Sequence, residues 1–120
     1  MKKVFVSGSR GVGELPEEAL RSLDKIRELG FTVLVGDCHG VDTLVQRYLK
    51  GYRRVVVFHI GERPRNNNGF DTVRVSGSKQ TDKDAVMVAD ANYGLAIWDG
   101  RSPGTKKNIE RVKATKVVRA

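Results

Sequence analysis

Ser9, Arg10, Asp37, Asp42, Asp99, Ser102 and Thr105 stand in three glycine-bearing loops, and their side chains suit a hold on an anion that also carries hydroxyl groups. Each loop follows a short apolar run. Gly8-Ser9-Arg10-Gly11 follows Val4-Phe5-Val6, and Gly36-Asp37-Cys38-His39-Gly40-Val41-Asp42 follows Thr32-Val33-Leu34-Val35. Asp99-Gly100-Arg101-Ser102-Pro103-Gly104-Thr105 follows Leu95-Ala96-Ile97-Trp98. A helix-like stretch comes after each loop. Glycine lets an anion approach the backbone, and a helix amino end offers unpaired N–H groups with partial positive charge. Ser9 adds a hydroxyl and Arg10 a fork of donors that matches a pair of phosphate oxygens. In the third loop, Lys106 and Lys107 place positive charge in the first helical turn, where the helix dipole opposes it, and such a local conflict marks a functional candidate. Gly8-x-x-Gly11-x-Gly13 is not the dinucleotide fingerprint, and no G-x-x-x-x-G-K-[ST] run occurs.

The acidic residues carry two readings each. Asp42 complements a helix dipole or accepts ribose hydroxyls, and Asp99 sits at a strand tip where a sugar hydroxyl could be met. Asp42, Asp99 and Glu110 are the carboxylates available to assist departure of a base from a nucleoside phosphate, a step that needs a carboxylate near the sugar. Asp37, Cys38, His39, Asp42 and His59 lack the paired spacing of a metal site, so no metal and no cofactor is expected. Cys38 and His39 are neighbours with no orienting third group and do not read as a nucleophilic pair. Arg63, Arg65, Asn66, Asn67, Asn68, Lys79, Gln80 and Lys83 lie in or beside a long connection that could act as a lid bringing cations over a phosphate. Trp98 ends an apolar strand and reads as core.

These loops need a scaffold that brings them to one edge. Strands are expected at Val4–Ser7, Phe31–Val35, Val55–Ile60, Tyr93–Trp98 and Thr115–Val118, with a short further candidate at Thr72–Val75. Helices are expected near Leu15–Leu29, with Pro16 in the first turn and Gly30 as the stop, from Val41 to Leu49, from about Thr81 to Ala91, and from Lys106 to Val112. Thr81 and Asp84 give a weak capping signal, and Ile109 and Val112 are the apolar contacts of the last helix. The alternation predicts one α/β domain over residues 1–120, a Rossmann-like doubly wound sheet of about five mainly parallel strands in the order 3-2-1-4-5, helices on both faces. All three loops then emerge at the carboxyl edge, where such sheets bind ligands. A hydrophobic fraction of 39% is enough for that core. The charge of +8 favours anionic partners, nucleotides and nucleic acid among them, without choosing between them. One cysteine excludes an internal disulfide and points to the cytoplasm, and the apolar run after Lys2-Lys3 is too short for a signal or a membrane span.

As a set, Gly8-Ser9-Arg10, Gly36-x-x-x-Gly40-Val41-Asp42, Arg65-Asn66, Asp90, Leu95-Ala96-Ile97-Trp98-Asp99-Gly100 and Ser102-x-Gly104-Thr105 resemble the SLOG superfamily of Rossmann-like domains. Its members include the DNA-processing protein A family, whose G-x-A-R-G-I-D is similar to the second loop, and the cytokinin-activating phosphoribohydrolases. The likeness runs from Val4 to Ile109. It implies a nucleotide or nucleotide-derived ligand, sensed or acted upon, held by Gly8, Ser9, Arg10, Gly36, Asp37, Gly40, Asp42, Arg65, Asn66, Asp99, Gly100, Ser102, Gly104, Thr105 and Lys106. It also implies a homo-oligomer, at least a dimer. The phosphoribohydrolases carry P-G-G-x-G-T and a catalytic Glu two positions after the Thr, where this chain has Lys107. The resemblance therefore implies the pocket more than the hydrolysis. His39 stands where G-x-A-R-G-I-D has its arginine, so a DNA-processing role carries over incompletely; single-stranded nucleic-acid binding, suggested by the +8 charge and this likeness, is a further alternative.

Overall fold

Apolar side chains at successive positions need cover on both faces of a strand. Val4-Phe5-Val6 and Val33-Leu34-Val35 have it in the computed structural model, which describes residues 1–120. The chain runs β1 (Lys3–Gly8), α1 (Glu17–Leu29), β2 (Thr32–Val35), α2 (Val41–Tyr48), β3 (Val55–His59), β4 (Asp71–Arg74), α3 (Gln80–Asp90), β5 (Tyr93–Trp98), α4 (Pro103–Arg111) and β6 (Thr115–Arg119). The sheet is wholly parallel in the order β4-β3-β2-β1-β5-β6. The five expected strands keep their expected order. The sheet has six strands rather than five, because the short candidate after the long connection pairs outside β3. No helix is long and apolar enough to cross a membrane.

Alternation within the strands divides the core in two. Val4, Val6, Val33, Val35, Val55, Val57, Leu95 and Ile97 face α1 and α2, meeting Ala19, Leu23, Ile26, Val41, Val45 and Leu49 in a cluster of 17 buried residues. Phe5, Leu34 and Phe58 point the other way, into a cluster of only six with Val75, Met87 of α3 and Val112 beyond α4. Order reverses between β1 and β5: the chain builds outward from β1 through β4, then crosses over to β5 and β6.

Helix starts differ from their expected places for local reasons. The side chain of Asp82 accepts hydrogen bonds from the amides of Ser78 and Lys79, both at 3.1 Å, so α3 begins at Gln80 and Thr81 is not its cap. Pro103 occupies the first position of α4, where its missing N–H costs nothing, and the helix starts three residues before Lys106. Its buried positions are Thr105 and Asn108, with Val112 just beyond its end, and Ile109 is only partly covered.

Gly40, at the entry to α2, has φ 78° and ψ −127°, a region that side chains disfavour, and a Cβ there would strike the backbone of Arg10. Gly40→Ala should therefore cost about 2–3 kcal/mol from backbone strain and overpacking together. Gly11→Ala, with nothing within 4 Å of its would-be Cβ, should shift urea-unfolding stability by less than about 0.5 kcal/mol.

Candidate functional site

A cavity of about 460 Å³ opens at the carboxyl ends of the strands, at the point where strand order reverses. Its walls come from the end of β1 (Ser7, Gly8, Arg10), the end of β2 (Gly36, Cys38), the first turn of α2 (Asp42), α3 (Gln80, Asp84) and the start of α4 (Ser102, Gly104, Thr105, Asn108). The three glycine-bearing loops do converge on one place. They contribute to it unequally.

The amino end of α4 forms one side. Its first backbone bond runs from the Lys106 amide to the Ser102 carbonyl at 3.2 Å, which leaves the N–H groups of Gly104 and Thr105 without a carbonyl partner in the helix. Ser102 is in position to cap them, yet its hydroxyl donates to Asp99 Oδ2 at 3.1 Å and makes no capping bond. Asp99 Oδ1 also accepts from the Arg101 and Ser102 amides at 2.8 and 2.9 Å. Those hydrogen bonds hold its carboxyl well below the usual range, at about 2. Asp99 thus shapes the loop and keeps the cap away from the free amides. Beside them, Ser7 and Thr105 are only 7% and 5% exposed, both line the cavity, and neither hydroxyl has a hydrogen-bond partner in the protein. Nothing lies within 4 Å of where a Gly104 Cβ would be.

Two carboxylates form the other side. Asp42 is 9% exposed, and one of its oxygens accepts from the Cys38 amide at 3.0 Å. Burial pushes its carboxyl up to about 6, although the Lys83 ammonium and the Cys38 hydrogen bond pull the other way. Asp84 on α3 accepts from Asn108 Nδ2 of α4 at 3.2 Å. Burial raises its carboxyl as well, against the Asn108 bond and nearby cations.

Behind Gly36 lies an ion cluster that braces this wall. Asp37, 1% exposed, accepts from Lys83 Nζ at 3.0 Å and from the Arg65 guanidinium at 3.2 Å and amide at 2.8 Å. Burial alone would raise its carboxyl, but Arg65 and Lys83 lower it to about 2. Lys83 is itself 1% exposed, a buried partner of Asp37 in the loop after β2 and not a lid cation. The sulfur of Cys38 lies 3.2 Å from Arg65 Nη2, 3.6 Å from Lys83 Nζ and 3.8 Å from Arg10 Nη2. The long β3–β4 connection is pinned onto α2: Gln46 Nε2 donates to the Asn66 carbonyl, Asn66 Nδ2 donates to Thr43 Oγ1, and the Asn68 amide donates to Gln46 Oε1. That tethering argues against a lid.

Of the residues singled out in the sequence, Gly8, Arg10, Gly36, Cys38, Asp42, Gln80, Ser102, Gly104 and Thr105 line the cavity. Ser9 does not. It is 1% exposed, with its hydroxyl accepting from the Asp99 amide and its carbonyl from the Val12 and Val41 amides, and so it ties the three loops together. Gly8 and Gly40 are packing positions, where a Cβ would meet Val41 and Arg10. Asp37, Arg65 and Asn66 are committed to one another's loops, Gly100 turns at φ 82° under Arg119, and Lys106 is exposed outside the cavity. Glu110 is exposed on α4, outside the cavity lining. Trp98 is half-buried, its Nε1 donating to the Ser102 carbonyl at 3.0 Å and its ring beneath the Arg119 guanidinium. His59 is buried at the end of β3, and His39 is exposed. Ser7, Asp84 and Asn108 are lining residues that the sequence reading missed. The signal available for the last two was polar residues recurring at helical spacing on the inner sides of α3 and α4. No protein-family model matches the chain, and no curated protein matches it in sequence.

Proposed function

We propose that this domain binds a nucleotide or nucleotide-derived small molecule in the cavity at the switch point, with a phosphate on the start of α4. One observation carries the reading: Ser7 and Thr105, both largely buried, turn hydroxyls with no protein hydrogen bond to the cavity beside the free amides of Gly104 and Thr105. A pair of hydroxyl donors free of protein partners, next to an uncapped helix end, suits an anion. Arg10 supplies the charge-assisted bond, and Asp42 and Asp84 suit the hydroxyls or N–H groups of the rest of the ligand. The likeness of the loop motifs to SLOG domains supports the same reading. The cavity's one aromatic lining residue is Phe5, 3% exposed, which offers no platform for stacking successive bases of a single strand.

Thermal unfolding against a panel of nucleotides and a short single-stranded oligonucleotide, at low and moderate salt, tests this. A specific nucleotide should raise the melting temperature in proportion to the logarithm of its concentration. Arg10→Ala should weaken that ligand by about tenfold or more, the loss of one charge-assisted bond of roughly 1.5–3 kcal/mol. Gly104→Val, filling the open space at the helix end, should remove the shift. Unchanged affinity in both folded variants would overturn the assignment, and a salt-sensitive shift with the oligonucleotide alone would favour nucleic acid.

A second reading has its own observation. Asp42 lies in the cavity with a raised carboxyl, as an acid assisting N-glycosidic cleavage would. Release of free base from a bound nucleotide, at protein concentrations near those of the nucleotide, is its test.

A further inference from the structure

We propose a second binding site on the other face of the sheet, a groove between α1 and β6 that holds a medium-chain carboxylate, with its apolar chain on the groove floor and its carboxylate on Lys25. The site goes beyond the nucleotide reading, and its lining shares no residue with the cavity at the switch point.

The groove follows from what β6 places beside Leu95. Residues paired in register share a face of a parallel sheet, and the partner of Leu95 is Lys116. A lysine does not fill that strip as a valine would. Its stem arches across to α1, where Nζ donates to Ser22 Oγ at 3.0 Å and meets Glu18 Oε1 at 3.4 Å. Below this strap, toward the amino edge of the sheet, a groove of about 400 Å³ stays open. Val4, Ile26 and Leu95 form its floor, and Phe31 and Tyr93 flank it as a stacked pair with ring centroids 5.9 Å apart. Tyr93 remains 37% exposed, so aromatic surface faces solvent here. The volume lies within the roughly 300–1,000 Å³ usual for small-molecule sites.

Charge selects the occupant. Arg21 and Lys25 turn to the groove one helical turn apart on α1. Arg21 is paired with Glu17 at 3.2 Å, and Lys116 with Glu18, the one acidic residue in the lining. Lys25 forms no ion pair. The Lys2 ammonium, 6.0 Å from the centroid of the Tyr93 ring, adds charge at the amino-edge end. An apolar floor beside an unpaired ammonium fits an aliphatic chain that ends in an anion, and the lysine stem covers apolar surface while its head stays in water. Lys116 crosses the far end, which suits a free acid of limited length over a continuous helix of a partner.

Calorimetric titration of the full chain tests this, with hexanoate, octanoate, 1-octanol and octyltrimethylammonium as probes below their micellar concentrations. Octanoate should bind about fifteenfold more tightly than hexanoate, at roughly fourfold for each methylene buried. It should also bind about tenfold or more tightly than octyltrimethylammonium. Lys25→Glu should weaken octanoate about tenfold or more, the loss of a charge-assisted bond, and leave 1-octanol within roughly twofold. Ala114→Trp, at an exposed position in the lining, should fill the groove and remove both. The probe comparison stands on the wild type alone, should a variant fail to fold. Equal binding of hexanoate and octanoate, a cation held as well as the acid, unchanged binding by folded Ala114→Trp, or no saturable binding of octanoate each overturns the proposal and leaves the nucleotide reading untouched. If octanoate fails and sedimentation shows a dimer that Ala114→Trp dissociates, the groove belongs to a second copy of the chain.

Discussion

Asp37→Ala should destabilise the fold by about 3–5 kcal/mol, the usual consequence of stranding one partner of a buried ion pair. The stranded partner is Lys83, 1% exposed, whose only other hydrogen-bond partner is the sulfur of Cys38 at 3.6 Å, the Asp42 carboxylate acting on it through charge alone. Arg65 escapes more lightly because its side chain is 44% exposed. Domains of this kind have about 5–15 kcal/mol in total, so a large share of the reserve is at stake. Urea unfolding measures it. The double variant Asp37→Leu with Lys83→Met should recover much of the loss, since it leaves no buried ammonium unpaired and strands only the half-exposed Arg65. Acid separates the two mechanisms. Asp37 has its carboxyl lowered from 3.8 to about 2, so its stabilising contribution is fully present above the unfolded value and is lost as pH falls toward 2. Wild type should weaken across that window and the double variant should lack this component. A single variant as stable as wild type would mean that Lys83 reaches solvent or another partner.

Asp42→Asn should do the opposite and stabilise the protein at pH 7 by about 2–3 kcal/mol, taking roughly 1.4 kcal/mol for each unit by which the carboxyl is raised. Its carboxyl moves from 3.8 to about 6. The folded state then holds the proton more tightly than the unfolded chain, and stability declines as pH rises from about 4 to 6. An asparagine oxygen still accepts from the Cys38 amide, so the variant avoids the penalty without losing the bond. Its advantage should vanish near pH 4 and reach full size by pH 7. Ligand affinity should fall in the same protein, because the free acceptor oxygen is gone. Gain of stability with loss of binding is the pattern of a group kept for function. A variant that unfolds more easily at pH 7 would show instead that the Lys83 ammonium compensates the buried charge in full.

The fold was largely legible because strand and helix periodicities rarely coincide. Val4 to Val6, Val33 to Val35 and Leu95 to Ile97 gave the centre of the sheet, and the helix spacing of Leu15, Ala19, Leu23 and Ile26 gave one cover. β4 was faint because all four of its residues are exposed and no apolar alternation marks it. The site was legible only in its loops. Glycine, hydroxyl and arginine cluster there in sequence, and so Arg10, Gly104 and Thr105 could be named. Asp84 and Asn108 could not, because a polar residue on a helix reads as surface until the neighbouring helix is known to face it. The Asp37–Lys83 pair spans 46 positions, and nothing local signals it. Ser9 and Asp99 stood out for sound reasons of residue type, yet their hydrogen bonds turn inward to organise the loops.

The unequal division of the core has a consequence for how such a chain can diverge. The 17-residue cluster under α1 and α2 takes no part in the cavity, which is cut into the opposite, six-residue side under α3 and α4. Polar substitutions that retune the pocket therefore fall where little apolar packing exists to be disrupted, while most of the structural reserve lies across the sheet. A chain diverging from this one can change the inner positions of α3 and α4 and still keep the same framework, with Asp37 and Lys83 expected to change together or not at all.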